Sequence, residues 1–248
     1  MFSTQKETKM LFFIVLVIAL AALSAFLKSP KGRGWLGELL VKIVIGKTKP
    51  GVQYVINDFK CRVADKRTTQ IDHILINSGG VFVIETKNYS GRIYGQEQAL
   101  EWTQVLRYGK VKHKLYNPLK QNKTHAYHVS NLLENKPPII PVVVFVQGNI
   151  NFINAYGVYT LSDLKKLIQS TPEALTEEEM EALYDKLLDA NDDSITNAEH
   201  ISNISTLKNE IASDICPRCG NKLILRYGSK GMFMGCEGYP KCKFTKKA

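Results

Sequence analysis

The sequence predicts an α/β domain with a mixed β-sheet flanked by helices, preceded by one transmembrane helix and followed by a small cysteine module. Three observations within the 248 residues predict this arrangement. An uncharged apolar run occupies residues 10–27, two β-rich runs flank the pair Gly79-Gly80, and four of the five cysteines lie at or after residue 216. A chain of this length holds one medium domain with attached modules.

The composition restricts the classes of partner. The formal net charge is +10 and 44% of the residues are apolar. The apolar share suffices for a core, whereas the positive charge favours polyanions, either nucleic acid or an anionic membrane face. The odd number of cysteines and their CxxC-type spacing suit a reducing compartment rather than a disulfide scaffold.

The N-terminal apolar run is long enough to cross a bilayer as a helix. Lys6 and Lys9 precede it, and more positive charge follows it at Lys28, Lys31 and Arg33. This asymmetry predicts a single-pass membrane protein whose body lies in the cytoplasm. The alternative is a cleaved signal peptide, because the residues Ala-Leu-Ser at 22–24 resemble a cleavage site.

The central segments alternate between helix and strand patterns. The predicted elements are a helix at 34–45, a strand at 52–59, a polar turn at 64–69, a hairpin at 70–91 whose last four residues turn the chain, a short strand at 92–94, a second hairpin at 96–114, a helix at 117–133 and a strand at 139–146. The last strand is apolar throughout, which is typical of a strand buried on both faces. This order predicts an α/β sandwich with a mixed sheet.

The later segments predict closing helices and a tether. Helices are expected at 161–170 and 177–188, the second opened by Thr176 and acidic residues that suit a helix N-terminus. The predicted divisions are a membrane anchor at 1–33, a core domain at 34–150, closing helices at 151–190, a linker at 191–214 and a cysteine module at 215–248.

The hairpin carries a candidate catalytic cluster. Side chains alternate between faces of a strand, so Asp72, Glu85 and Lys87 share one face in either of two registers. A Ser78-Gly79 turn puts Asp72 opposite Glu85, whereas a Gly79-Gly80 turn puts it opposite Lys87. Opposed carboxylates about 5 Å apart repel one another unless a cation such as Mg²⁺ lies between them. The alternative is an ion pair between Asp72 and Lys87 with a solvated Glu85.

These residues also resemble a known family. The order Glu38, Asp72, Glu85-Thr86-Lys87 and Gln121 is similar to that of the PD-(D/E)XK nucleases, and the blocks GWLGE, QIDHILI and GVFVIETKNYSGRIYG resemble the nuclease-related domain, NERD. The resemblance implies a restriction-endonuclease-like fold. It implies metal binding by Asp72, Glu85 and the Thr86 carbonyl, a water-orienting Lys87, a supporting Gln121 and an auxiliary Glu38. Ile71 stands where the superfamily often has proline, and His125 is expected to be structural.

The C-terminal cysteines predict a structural metal site. Cys216, Cys219, Cys236 and Cys242 form two thiolate pairs at the spacing of a tetrahedral Cys₄ zinc site. The module resembles the C4 zinc ribbon of bacterial type IA topoisomerases, which implies DNA binding, chiefly to single strands. Basic and aromatic residues are interleaved here, as nucleic-acid binding requires. The candidate contacts are Arg218, Arg226, Lys230, Phe233, Tyr239, Lys241 and Lys243.

Together these features predict a membrane-anchored, Mg²⁺-dependent nuclease whose zinc ribbon holds DNA, with single strands favoured. One alternative is a non-catalytic adaptor that tethers DNA to the membrane. Another is a secreted nuclease, which would require removal of a signal peptide.

Overall fold

The computed structural model describes residues 2–63, 67–196, 198–199, 206, 209, 211–229 and 231–247, with side chains from residue 10 onwards. The helices are α1 (Phe2–Lys28), α2 (Pro30–Ile45), α3 (Pro118–Leu132), α4 (Leu161–Ser170) and α5 (Glu177–Ala190). The strands are β1 (Gln53–Val63), β2 (Arg67–Asn77), β3 (Gly80–Gln96), β4 (Glu101–Leu106), β5 (Val111–Tyr116), β6 (Ile139–Asn154), β7 (Val158–Thr160), β8 (Leu223–Gly228), β9 (Gly231–Cys236) and β10 (Thr245–Lys247).

A seven-stranded mixed sheet forms the centre of the protein. The strands β1 to β5 pair in sequence order and are antiparallel, whereas β6 runs parallel to β3 and β7 runs parallel to β6. Parallel pairing needs a long crossover between the strands, and α3 lies in the connection from β3 to β6. The predicted mixed α/β class is therefore confirmed.

Helices cover both faces of the sheet because the inner strands alternate two apolar sets. On one face, Ile74, Val81 and Val83 pack with Val129 of α3 and Leu187 of α5. On the other face, α2 and α4 pack against a second set, which consists of Leu75, Phe82, Ile84, Val142 and Val144. Two buried layers around one sheet hold β2 and β3, and the polar side chains that these strands carry, in fixed positions.

The chain does not turn at residues 88–91, and that prediction is wrong. Strand β3 continues from Gly80 to Gln96 and pairs with β6 along this length. Its register shifts after Lys87, and Gly91 adopts a φ of 80°, so bulges absorb the sequence that resembles a turn. Residues 67–69, also expected in a turn, begin β2, while residues 64–66 lie outside the described residues.

One helix has the length and composition of a membrane span. Within α1, Met10–Lys28 has a mean hydropathy of 3.0, and none of its most apolar window is buried against the rest of the protein. A signal sequence at an N-terminus would have the same properties. Ser29 separates α1 from α2, where its hydroxyl accepts a hydrogen bond from Gly32 N at 3.0 Å and caps the second helix.

The start of the predicted linker packs against the sheet. Lys60 N donates to Asn191 Oδ1 at 2.9 Å, and Arg62 pairs with Asp192 at 3.0 Å. Ile195 is 2% exposed. Residues 191–195 therefore lie on β1. Their polar side chains, which resemble those of a linker in the sequence, instead pair with groups of this edge strand.

Candidate active site and cysteine cluster

The turn between β2 and β3 sets the register of the candidate catalytic residues. Asn77 pairs with Gly80, and His73 pairs with Ile84. The Asn77 side chain accepts a hydrogen bond from Gly79 N at 2.9 Å, which favours the Ser78-Gly79 turn. This is the first of the two registers predicted, and its continuation by one residue brings Asp72 opposite Glu85.

Polar side chains from two strands and one helix meet at this point. Lys87 Nζ lies 2.6 Å from Glu85 Oε1 and 3.2 Å from Gln121 Oε1. Asp72 Oδ2 accepts a hydrogen bond from Thr86 N at 2.7 Å. Glu85 is 3% exposed and is the acid that pairs with Lys87. An Asp72-Lys87 ion pair with a solvated Glu85, the alternative from the sequence, is therefore wrong.

His125 joins this cluster through its other side. Its Nδ1 lies 2.7 Å from Thr69 Oγ1, and its Nε2 lies 3.5 Å from Glu85 Oε2. The second distance suits an ion pair but is long for a hydrogen bond. The sequence predicted a structural role for His125 and gave no indication of Thr69. The spacing of four residues from Gln121 was the available signal.

The charges of this cluster depend on one another. Burial, and then the Glu85 carboxylate, raise the pKa of Asp72 well above its ordinary value. Burial alone would raise the pKa of Glu85, but Lys87 and His125 together outweigh burial and hold that pKa at about 2. Burial would lower the pKa of Lys87, but Glu85, Tyr89 and Asp72 together outweigh burial and raise that pKa. Lys87 therefore neutralises Glu85, while the charged form of Asp72 needs a further cation.

Glu38 belongs to the helix on the opposite face of the sheet and acts on the cluster through its charge. It lies on α2, and burial raises its pKa, with Asp58 and Glu85 contributing in the same direction. Its neighbour Gly37 packs against β3, since a Cβ atom at Gly37 would lie 2.9 Å from the Asn88 side chain. Besides burial, both Glu85 and Glu38 raise the pKa of Asp72, so the three carboxylates act on one another electrostatically.

A buried amide fixes α3 to the sheet beside this cluster. Asn122 Nδ2 donates to Val83 O and to Val142 O, both at 2.9 Å. Asn122 thus ties α3 to carbonyls of both β3 and β6 and so sets the position of Gln121 and His125, a role that the sequence alone did not reveal.

The four C-terminal cysteines converge as predicted. Cys216 Sγ lies 3.6 Å from Cys242 Sγ, and Cys219 Sγ lies 3.3 Å from Cys236 Sγ. All four sulfur atoms lie within 4.8 Å of one another. A tetrahedral zinc ion with bonds of about 2.3 Å requires sulfur atoms about 3.8 Å apart, so the donor set fits zinc. The sulfurs are the core of the module, together with Leu223 and Phe244.

The candidate nucleic-acid residues of this module lie in different places. Arg226 lies over the Tyr239 ring at 5.7 Å, and both line a cavity of about 620 Å³ with Phe233 and Lys243. Arg218 instead faces α3, where its Nε lies 3.4 Å from Thr124 Oγ1. Lys241 is exposed, and Lys230 lies outside the described residues.

Comparison with known proteins identifies both modules. The model of the Nuclease-related domain family matches residues 33–146, and that of the Topoisomerase DNA binding C4 zinc finger family matches residues 213–248. An uncharacterized protein of Bacillus anthracis is 36% identical over 190 residues, which cover 73% of this chain and 89% of that protein.

The matches at the C-terminus are short. DNA topoisomerase 1 of Methanocaldococcus jannaschii is 64% identical over 31 residues, which cover 12% of this chain and 4% of that enzyme. The uncharacterized protein YrdD of Escherichia coli is 47% identical over 34 residues, which cover 14% of this chain and 19% of that protein. No solved structure matches the chain significantly.

Proposed function

This chain belongs to the nuclease-related domain (NERD) family, and from that premise we propose that it hydrolyses DNA phosphodiester bonds with the help of a divalent metal ion. The observation that carries the proposal is the convergence of Asp72, Glu85, Lys87 and Gln121 at one point of the sheet. Two opposed carboxylates with an adjacent lysine suit hydrolysis of a phosphodiester.

The oxygen donors of this cluster fit Mg²⁺. Mg²⁺ prefers hard oxygen ligands, and burial followed by the Glu85 carboxylate raises the pKa of Asp72, so an added cation would stabilise its charged form. Asp72, Glu85 and the Thr86 carbonyl would hold the ion, with Glu38 as an auxiliary acid. When bound, the ion would polarise a phosphoryl oxygen and lower the pKa of a bound water.

The protein groups have separate tasks in this proposal. The Lys87 ammonium, fixed between Glu85 and Gln121, would orient the attacking water and stabilise the negative charge that develops on the phosphate. Gln121 would fix Lys87 or the substrate through its amide. His125, held by Thr69, would keep Glu85 ionised and in place.

The zinc ribbon would hold the DNA, with single strands favoured. Its cavity combines Arg226, Tyr239 and Phe233, which suit phosphate contact and base stacking. Stacking of one base on an aromatic side chain contributes about 1–3 kcal/mol. The ribbon residues proposed to contact DNA are Arg218, Arg226, Lys230, Phe233, Tyr239, Lys241 and Lys243.

We further propose that α1 anchors the protein in a membrane with its body in the cytoplasm. The apolar stretch Met10–Lys28 and the excess of positive charge after it support this orientation. The proposed divisions are an anchor at 1–33, the nuclease domain at 34–150, closing helices at 151–190, a linker at 191–214 whose residues 191–195 pack on β1, and the ribbon at 215–248.

A cleavage assay on the detergent-solubilised full chain tests this function. Labelled single- and double-stranded DNA is incubated with and without added Mg²⁺, which is omitted rather than chelated because a chelator would also remove zinc. Asp72→Asn and Lys87→Met should each abolish cleavage, while Lys165→Gln, at an exposed lysine of α4, should retain it. Cleavage that survives both substitutions would exclude this site.

The second candidate function is a DNA-binding adaptor without catalysis. The ion pair of Lys87 with buried Glu85, which already neutralises one of the two carboxylates, favours it. An adaptor would bind DNA with unchanged affinity in the Asp72→Asn variant and would leave both substrates intact at every Mg²⁺ concentration.

A further inference from the structure

The zinc ribbon is docked on helix α3, next to the candidate active site. Lys120 Nζ donates to Thr245 O at 2.8 Å, and Arg218 Nε approaches Thr124 Oγ1 at 3.4 Å. Lys120 and Arg218 both lie over the Phe244 ring, at 5.7 and 5.6 Å. These contacts join the two modules through one side of α3.

A cavity of about 170 Å³ lies at this junction and is strongly positive. Among the described residues that line it, Glu97 is the one acid, and it pairs with Lys123 at 2.7 Å. Its basic residues come from both modules, namely Lys120 and Lys123 from α3 and Arg218 and Lys243 from the ribbon. The lining therefore has an excess of three positive charges. A phosphate group with several waters, each of about 30 Å³, fits this volume.

Lys120 is the most costly of these cations. It is 8% exposed, and burial, followed by Arg218 and Lys123, lowers its pKa to about 8. A buried cation among other cations is unfavourable unless an anion compensates it. The carbonyl of Thr245 contributes a dipole but no charge. An anionic ligand at the junction would compensate this positive charge.

The cavity also adjoins the proposed DNA site of the ribbon. Its walls share Lys243, Phe244 and Thr245 with the larger ribbon cavity. On α3, Lys120 immediately precedes Gln121, which contacts Lys87, so the junction and the acid cluster lie on adjacent sides of one helix. A strand that runs from the ribbon cavity to the acids would therefore pass along α3.

We propose that this junction binds a backbone phosphate of the DNA strand between the ribbon and the acid cluster, with Lys120, Lys123, Arg218 and Lys243 as its ligands. The inference rests on the proposed DNA binding but not on catalysis. It adds two residues of α3 to the DNA-binding surface and makes that surface continuous across the two modules.

Strand affinity in substituted full-length protein tests the site. Fluorescence anisotropy with a labelled oligothymidylate is measured in detergent, in an Asp72→Asn background that prevents cleavage and without added Mg²⁺. Lys243 is exposed, so Lys243→Gln leaves the docking contacts intact, whereas Lys120→Gln removes one of them. Lys120→Arg keeps the charge, and Lys165→Gln is the matched control for loss of a surface charge.

When the logarithm of affinity for a single strand is plotted against the logarithm of salt concentration, each phosphate contact contributes about −0.7 to the slope. We expect Lys243→Gln and Lys120→Gln each to weaken binding about fivefold at 0.1 M salt and to reduce the slope by about 0.7. Lys120→Arg should restore most of the affinity. Variants that match Lys165→Gln in affinity and slope would overturn the site while the DNA-binding function stands.

Two other outcomes would also overturn the inference. A parent protein that fails to bind the oligonucleotide would refute DNA binding and this site together. Inorganic phosphate, with chloride at equal ionic strength as its control, distinguishes a cavity that binds a phosphate of the strand from one that binds a free anion. If phosphate raises the unfolding temperature of the parent but not of Lys243→Gln, while both bind the oligonucleotide equally, the cavity holds free phosphate rather than the strand.

Discussion

Replacement of Lys87 by methionine tests the buried charge arrangement directly. The change keeps the apolar length of the side chain but leaves Glu85, which is 3% exposed, without the ammonium 2.6 Å away. Loss of one partner of a buried ion pair costs about 3–5 kcal/mol. Lys87 and His125 lower the pKa of Glu85 to about 2 against the opposing effect of burial, so Glu85 is ionised at neutral pH. A lowered carboxylate pKa stabilises the folded protein above the ordinary pKa, so this contribution is fully present at neutral pH.

The unfolding temperature of the full chain measures this cost. Trp102 is 1% exposed in the central domain, and its fluorescence therefore reports unfolding of that domain. In detergent at pH 7, without added divalent cation, we expect Lys87→Met to lower the midpoint by about 10 °C. Asp72→Asn in the same protein should restore part of the loss, because the Asp72 carboxylate repels Glu85. Lys165→Met, at an exposed lysine, is the control and should change little.

A small effect would refute this reasoning. If Lys87→Met unfolds within about 1 kcal/mol of the parent protein, then Glu85 is not an ionised, buried carboxylate that depends on Lys87. A loss of similar size in the Lys165 control would instead attribute the effect to net charge.

Four further predictions concern the scaffold. Asn122→Ala should destabilise the protein by about 1–3 kcal/mol in thermal unfolding, because two buried carbonyls lose their donor. Gly95→Ala should cost about 1–3 kcal/mol in the same assay, because a Cβ atom there would lie 2.4 Å from the Trp102 ring. Burial, and then His125 and two arginines, lower the pKa of His128 to about 4. The folded protein therefore keeps His128 neutral while the unfolded chain binds a proton, so the free energy of unfolding should fall by about 2 kcal/mol as the pH is lowered from 7 to 5. His128→Gln should remove this contribution to the pH dependence. Denaturation of the full chain should release one zinc ion into a colorimetric chelator, and removal of that ion should abolish oligonucleotide binding.

The fold was predictable wherever local pattern and tertiary context agree. The hairpin of β2 and β3 and the buried strand β6 follow from alternation and from a wholly apolar run. Thr160 and Thr176 form capping boxes at the starts of α4 and α5, whose helical pattern the sequence already indicated. The predicted turn at residues 88–91 failed because the partner that keeps β3 extended, β6, lies more than 50 residues away.

The candidate site was likewise predictable only where a local pattern determines it. The alternation of side chains along a strand was enough to predict that Asp72, Glu85 and Lys87 share a face, because both of the hairpin registers considered keep them together. The choice of register required the contact of the Asn77 side chain with Gly79, which spacing does not reveal. Thr69 and the approach of His125 to Glu85 depend on how α3 packs against β2, and no local signal encodes that packing.

Helix α3 makes the zinc ribbon and the acid cluster mechanically dependent on each other. One side of this helix holds Thr245 of the ribbon through Lys120, and the adjacent side holds Lys87 through Gln121. Depletion of zinc would unfold the ribbon and free Lys120 from Thr245. Zinc supply would then govern the proposed hydrolysis from a distance, so protein purified under metal-poor conditions would look inactive in the cleavage assay even though its carboxylates were intact.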